Sequence, residues 1–261
     1  GELKVDGLIS ADGAPADYSG GAGGSVKIEA ASLSGSGTIR ADGGAGWDAK
    51  WCCGGGGRVA VRLTGQGAGF SGAPAITAYG GRLPATARTA GPGTVWLRTA
   101  ADGEEGGRLV IDNGGHQAAY GRADLDGEVE WCPFGSVVIT NGGDLFLGGN
   151  RAVTVSGDWL ACGGAFSGAV DSAVHFTGPG VSRIAGTNDF SGLSCTVPGK
   201  TLRFGTTGSL QRIDAGGLLT LAGSAGAKLT LAREGGDGLW PLALCAGSSM
   251  SLQYLDVSHS D

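Results

Sequence analysis

The most chemically distinctive side chains lie in one glycine-flanked loop, Gly46–Gly54, which contains Trp47, Asp48 and Trp51. Flat aromatic faces in an exposed loop suit stacking on a sugar ring or contact with a protein partner. Neighbouring polar groups can orient such a ligand. The alternative is that the two tryptophans only cap the side of the fold. We therefore predict Trp47, Asp48 and Trp51 as candidate ligand-binding residues.

Cysteine is the second residue type with chemical potential. No two cysteines have the CxxC spacing that usually marks zinc or iron–sulfur sites, so no metal site is predicted from them. Disulfides in an exported protein are expected, with free buried cysteines as the alternative. The repeated Trp-Cys pairing suggests a bridge from Cys52 or Cys53 to Cys132 as a hypothesis. The possible disulfide cysteines are Cys52, Cys53, Cys132, Cys162, Cys195 and Cys245.

The densest run of carboxylates is Asp124–Trp131, in which every second residue is acidic from Asp124 to Glu130. Calcium or a basic surface could bind there. Good calcium sites, however, gather about six to eight oxygen ligands from curved loops, and a straight strand disperses them. The pattern therefore favours a solvated outer strand face over a metal site.

No catalytic residue and no cofactor is predicted. His116, His175 and His259 are far apart in the sequence, and no GxSxG elbow accompanies them. The glycine-rich loops also lack the GxxxxGK[ST] pattern that binds phosphates. The chain is therefore more consistent with a non-enzyme than with an enzyme.

Composition restricts the elements that could position these residues. Glycine makes up 55 of the 261 residues, and each glycine inside a helix costs about 1 kcal/mol relative to alanine. The net charge of −6 comes without a basic cluster, which argues against a nucleic-acid partner. No apolar stretch approaches the roughly 20 residues of a membrane span. The chain begins at Gly1 and stops at Asp261 in a strand-and-turn pattern, so we expect a fragment of a longer protein.

A repeat in residues 1–107 predicts stacked strands. The segment Gly7–Gly13 is copied at Gly37–Gly43 and more weakly at Ala75–Gly81. A second strand pattern with alternating apolar residues recurs at Gly24–Glu29, Gly57–Arg62 and Gly93–Arg98. Short constant strands joined by variable loops are typical of a solenoid, in which each repeat covers its neighbour.

From residue 108 onward, short strand patterns follow one another with only turns between them. We read 1–261 as one domain, with glycine-rich, loop-bearing coils over 1–107 and tighter coils over 108–261. The clearest strand patterns here are Leu109–Ile111, Val137–Thr140, Asp144–Leu147, Ala152–Val155, Val174–Thr177, Thr201–Phe204, Ser209–Ile213, Leu218–Leu221, Lys228–Leu231, Leu239–Leu244 and Ser251–Val257.

The order of Gly199–Gly205, Leu218–Gly223, Leu229–Leu231, Trp240 and Ser251–Ser258 resembles the extracellular right-handed parallel β-helix proteins of bacteria. These include adhesin-like and other large surface proteins within the pectin-lyase-like superfamily. The resemblance covers about residues 170–261, and the early glycine-rich copies resemble the same class. It implies an all-β, right-handed parallel β-helix in an exported protein, and it specifies fold rather than activity.

These observations predict a secreted or cell-surface structural or adhesive module without enzymatic activity. Its expected partners are the remainder of the parent surface protein and either glycans or another surface protein. The alternatives are a polysaccharide-active lyase or glycosidase, and a glycan-binding domain that acts along the groove of the β-helix.

Overall fold

The computed structural model describes residues 1–46, 52–83, 88–103, 106–125, 131–235 and 237–260. In these ranges the chain is essentially all-β, with no α-helix and one short 3-10 helix at Ala100–Asp102. The large sheet is mostly parallel. The predicted all-β class and the parallel pairing of strands are therefore confirmed.

The strands are β1 Glu2–Lys4, β2 Leu8–Ser10, β3 Ser25–Ala30, β4 Ser32–Ser34, β5 Thr38–Arg40, β6 Arg58–Leu63, β7 Ala75–Thr77, β8 Arg82–Leu83, β9 Arg88–Thr89, β10 Thr94–Arg98, β11 Arg108–Asp112, β12 Ala123–Leu125, β13 Trp131–Phe134, β14 Ser136–Thr140, β15 Asp144–Leu147, β16 Ala152–Val155, β17 Trp159–Gly168, β18 Ala173–Phe176, β19 Val181–Cys195, β20 Thr201–Phe204, β21 Leu210–Ala222, β22 Leu229–Arg233, β23 Leu242–Leu244, β24 Ser249–Gln253 and β25 Leu255–Val257.

The chain divides into two compact units. The first comprises Gly1–Ala123 with Thr140–Asp144, and the second comprises Asp124–Ile139 with Leu145–Asp261. The first unit contains the glycine-rich repeats, and the second contains the longest strands.

In the first unit, the sequence repeats lie side by side in register. Strands β2, β5 and β7 form a parallel sheet that aligns Ile9, Ile39 and Ile76. Strands β3, β6 and β10 are also parallel and align Val26 with Val59 and Val95. Val59 is buried and Val26 packs against the same core. The strands of successive repeats therefore pair in parallel and in register.

The glycine-rich segments between these strands pack backbone against backbone. A Cβ atom added at Gly44 would lie 2.2 Å from the carbonyl oxygen of Ala14, and one added at Gly54 would lie 1.9 Å from that of Gly21. No side chain fits at such a separation. Five backbone hydrogen bonds of 2.8–3.0 Å cross these segments in series: Gly21 N to Ala14 O, Gly44 N to Gly21 O, Gly54 N to Gly44 O, Gly81 N to Gly54 O and Ala90 N to Gly81 O.

Aspartate side chains link the same repeats at the ends of their strands. The Asp12 carboxylate accepts a hydrogen bond from the backbone N–H of Asp42 at 2.9 Å. The Asp42 carboxylate in turn accepts one from the N–H of Tyr79 at 2.7 Å and one from the Thr77 hydroxyl at 3.1 Å. Each repeat thus satisfies a backbone donor of the next. These hydrogen bonds give a structural reason for the recurrence of the Ala-Asp-Gly triplet in the sequence.

In the second unit, β19 is the central strand. It pairs in parallel with β17 and β18 on one side and with β20 and β21 on the other. Trp159, Phe166 and Phe190 fill the core beside it, with ring centroids 4.7–6.0 Å apart. A second aromatic pair, Phe204 and Trp240, is stacked at 4.3 Å. Buried aromatic and aliphatic side chains thus hold the longest strands together.

Substitution at Gly44 tests the close packing of the glycine segments. Gly44→Ala should destabilise the protein by about 1–3 kcal/mol or more, because the clash is with rigid backbone. Thermal unfolding should show a Tm lowered by roughly 2–4 °C for each kcal/mol. Gly69→Ala is the matched control, since Gly69 is exposed and a Cβ there meets nothing within 4 Å. Equal Tm values for the two variants would contradict the packing described here.

Candidate functional site

A column of polar side chains follows one outward position of the parallel strands in the second unit. Thr154 of β16 pairs with His175 of β18, and His175 pairs with Ser194 of β19. Ser194 then pairs with Thr220 of β21, which pairs with Ser251 of β24. Parallel register therefore gathers five hydrogen-bonding side chains that are far apart in the sequence.

The flanking residues fix the direction of this column. In each strand the polar residue stands between two apolar ones, and alternate residues of a strand point to opposite faces. The apolar neighbours of the three central polar residues are buried, so the polar residues face outward. These neighbours are Val174, Phe176, Leu193, Cys195, Leu219 and Leu221.

His175 and Ser194 are in direct contact. The Nδ1 atom of His175 and the Ser194 hydroxyl form a hydrogen bond. Partial burial of the imidazole lowers the pKa of His175 below its ordinary value of 6.5. The ring is therefore neutral near pH 7, with one nitrogen able to donate and the other able to accept a hydrogen bond.

The pair lies in an open groove of about 250 Å³. A β-bulge forms it: β19 has the single residue Ser191 where β21 has the four residues 214–217. Bulges re-aim side chains and often occur beside functional sites. The lining residues are Asp171, Ser172, Ala173, His175, Ser191, Gly192, Leu193, Ser194, Gly216, Gly217, Leu218 and Thr220.

Small residues keep the floor of the groove low. A Cβ atom at Gly217 would lie 2.4 Å from the carbonyl oxygen of Ser191, so only glycine allows this approach. At Gly192 it would lie 2.8 Å from the carbonyl oxygen of Ser172. These glycines therefore let neighbouring backbone segments approach closely beneath the groove.

The chemistry of the groove is that of hydrogen bonding. A serine beside an imidazole is part of the arrangement for nucleophilic catalysis, which also needs donors aimed at a developing oxyanion. The backbone around Ser194 belongs to a strand paired on both sides, with β18 and with β21. Its N–H groups are thus used within the sheet. The arrangement suits the binding of a polar ligand better than acyl transfer.

Polar groups inside the second unit have structural partners. Trp159 Nε1 donates to Asn188 Oδ1 at 2.7 Å, and Asn188 Nδ2 donates to Gln211 Oε1 at 2.8 Å. Gln211 Nε2 then donates to the carbonyl oxygen of Gly186 at 3.0 Å. This network joins neighbouring strands through the core, where unpaired amides would be costly.

The buried Lys200 has a similar role. Its ammonium group donates to the carbonyl oxygens of Ser156 at 3.2 Å and Gly178 at 3.1 Å. Burial lowers the pKa of Lys200 from its ordinary value. The side chain thereby links backbone segments that are 44 and 22 residues away in the sequence.

The residues predicted from sequence as a ligand site, Trp47, Asp48 and Trp51, lie outside the described residues, as does most of the acidic run. The predicted site therefore stays a prediction. Sequence reasoning missed the pairing of His175 with Ser194. The signal that could have found it is the repeated apolar-polar-apolar triplet at each of the five column positions.

The cysteines give no support to the predicted disulfides where the structure describes them. Cys52, Cys53, Cys162, Cys195 and Cys245 are free thiols. Cys195 is buried in the sheet and packs as a small apolar residue, and burial raises the pKa of its thiol. The side chain of Cys132, and with it the hypothetical bridge to Cys52 or Cys53, lies outside the described part of the chain.

Comparison with known proteins found no matching family model, no matching curated protein and no matching solved structure. Within the described ranges, no helix is long and apolar enough to cross a membrane. The described residues also contain no cluster of three or more histidine, cysteine, aspartate or glutamate side chains placed to hold a metal ion.

The lowered pKa of His175 predicts a pH dependence of stability. The unfolded chain takes up the proton first on acidification, so the free energy of unfolding should fall as the pH drops from 6.5 to the folded pKa. Above 6.5 this contribution is constant. Two-dimensional NMR of the His175 ring should give a pKa below 6.5.

Urea unfolding between about pH 8 and about pH 5 provides the matching stability measurement. His175→Gln should remove the part of the pH dependence that belongs to this ring. The exposed His259 offers the control, because His259→Asn should leave that part in place. A His175 pKa at or above 6.5 would refute the role assigned to burial.

Proposed function

We infer that this chain forms a right-handed parallel β-helix and acts as a structural or adhesive module of a secreted bacterial surface protein, without enzymatic activity. The observation that carries the proposal is the recurrence of one strand position in parallel register over five strands, from Thr154 to Ser251. This recurrence supports a chain that returns to the same place once per turn of a coil.

The connections between the paired strands support the same proposal. Parallel strands cannot be joined by tight hairpins, so the chain must cross over between them. Here the crossovers contain further strands, with no α-helix in the described residues. Crossovers between parallel strands of one sheet are nearly always right-handed. A right-handed coil made of strands is the arrangement that satisfies these constraints together.

The last strands favour a role in assembly or adhesion. β24 pairs with β21, and β25 with β22, while their own apolar side chains remain open to solvent. Met250 on β24 is 60% exposed and Val257 on β25 is 48% exposed. Apolar groups on strands of this kind are characteristic of contact surfaces. We propose that they contact a further coil of the parent surface protein.

Removal of one complete coil tests the β-helix. In a solenoid, stability is approximately a sum over neighbouring repeats, so an excised coil leaves the rest in register. Deleting Cys195–Thr220 joins Ser194 to Leu221. Ser194 then takes the place in the column of Thr220, its partner in the intact protein. We expect this variant to keep a β-rich circular dichroism spectrum and cooperative thermal unfolding.

Deleting half of that segment, Gly208–Thr220, is the control, because it displaces every following strand from its partner. It should lose cooperative unfolding. Retained folding in the half-coil deletion together with unfolding of the full-coil deletion would refute the β-helix.

Turnover of a polysaccharide substrate distinguishes an enzymatic role from an adhesive one. Incubation with a panel of uronic polysaccharides should give no rise in ultraviolet absorbance, which lyase action would produce through an unsaturated product. Beads coated with the protein should instead be retained on a glycan array. Product formation by the intact protein would replace the proposal with the polysaccharide-active alternative.

The predicted tryptophan site enters the same experiment through Trp47→Ala and Trp51→Ala. Loss of bead retention in these variants would assign the adhesive contact to that loop and to glycans or another surface protein.

A further inference from the structure

The groove around His175 and Ser194 has the shape and lining of a specific ligand site. We propose that it binds a neutral, hydroxyl-rich ring, the chemical class of an uncharged sugar residue. The inference deepens the proposed adhesive function and rests on it for its biological role.

The size of the groove limits the ligand. Its volume of about 250 Å³ is just below the range of roughly 300–1,000 Å³ in which drug-sized molecules bind. The floor of glycine and alanine leaves room for one ring above the sheet. The groove is open, so a ring within a longer chain can enter with its neighbours outside.

The polar groups match hydroxyl groups on the ligand. Ser194 and Thr220 lie at adjacent column positions, and Ser191 lies at the bulge beside them. Each serine or threonine hydroxyl both donates and accepts hydrogen bonds, as a sugar hydroxyl does. Asp171 adds a carboxylate acceptor. Leu218, 48% exposed, gives the apolar edge on which the C–H face of a ring can pack.

The charge of the lining distinguishes neutral from acidic sugars. Asp171 contributes a carboxylate, and the described residues that line the groove include no lysine or arginine. A uronate would therefore bring its carboxylate near another without a cationic partner, which is unfavourable. A galactoside and a galacturonoside, which differ only at one carbon, test this preference directly.

The experiment is a titration of the intact protein with a panel of neutral methyl hexosides and with methyl galacturonoside. Ligand-observed NMR reports binding, and the ring signals of His175 report its location. We expect at least one neutral hexoside to bind with a millimolar dissociation constant, as suits a single ring. It should move the His175 signals, and the galacturonoside should bind more weakly than the galactoside.

Three variants assign the site. Ser194→Ala and Thr220→Val each remove one hydroxyl and should weaken binding by about tenfold. Ser251→Ala should bind like the parent, because Ser251 lies in the same column but does not line the groove. Thermal unfolding of each variant checks that it folds. Because two groove variants are tested, the assignment of the site still holds if one of them fails to fold.

The proposal is overturned if no neutral hexoside binds, if the galacturonoside is preferred, or if both groove variants bind like the parent. None of these results bears on the coil deletions, which test the β-helix separately. Conversely, retained folding in the half-coil deletion together with unfolding of the full-coil deletion would refute the proposed β-helix and leave the binding result standing.

Discussion

Parallel register is the constraint on which both units depend. Each strand satisfies its backbone hydrogen bonds on a neighbour that runs in the same direction, so equivalent positions lie above one another. Ile9, Ile39 and Ile76 align in this way in the first unit. Because side chains alternate between the two faces, a shift by one residue would expose every apolar column at once. The same register that stabilises the core therefore also determines which polar residues meet outside it.

Where strands give way to loops, the two units keep their layers together by different means. In the first unit, glycines such as Gly44 and Gly54 bring backbone against backbone, and hydrogen bonds replace side-chain packing. In the second unit, long side chains reach between strands instead, as Lys200 and Asn188 do. Both solutions satisfy buried polar backbone or amide groups, whose desolvation would otherwise destabilise the fold. The high glycine content thus allows close packing of backbone segments, in addition to allowing the backbone conformations of tight turns.

Sequence patterns predicted much of this fold because the signals were local and repeated. The predicted strands Ala152–Val155 and Thr201–Phe204 have the observed bounds. The long strands β17 and β19 were not predicted, since Gly163, Gly186 and Gly192 interrupt their alternating pattern. These glycines lie at bulges and close approaches rather than at strand ends. Partners far apart in the sequence supply the hydrogen bonds that extend such strands, and no local pattern reports them.

The candidate site was harder to predict because its members are separated by whole turns of the chain. His175 and Ser194 are 19 residues apart, and each looks like an ordinary outward residue between two apolar ones. Only the register of β18 on β19 brings them together. The bulge at Ser191 then widens the space beside them, which uniform strands would have closed. In a stacked sheet of this kind, the outer columns are the places where polar side chains accumulate, and an irregular turn converts such a column into a groove. A search for ligand sites in similar chains should therefore align the apolar-polar-apolar triplets first and then look for glycine-rich insertions between them.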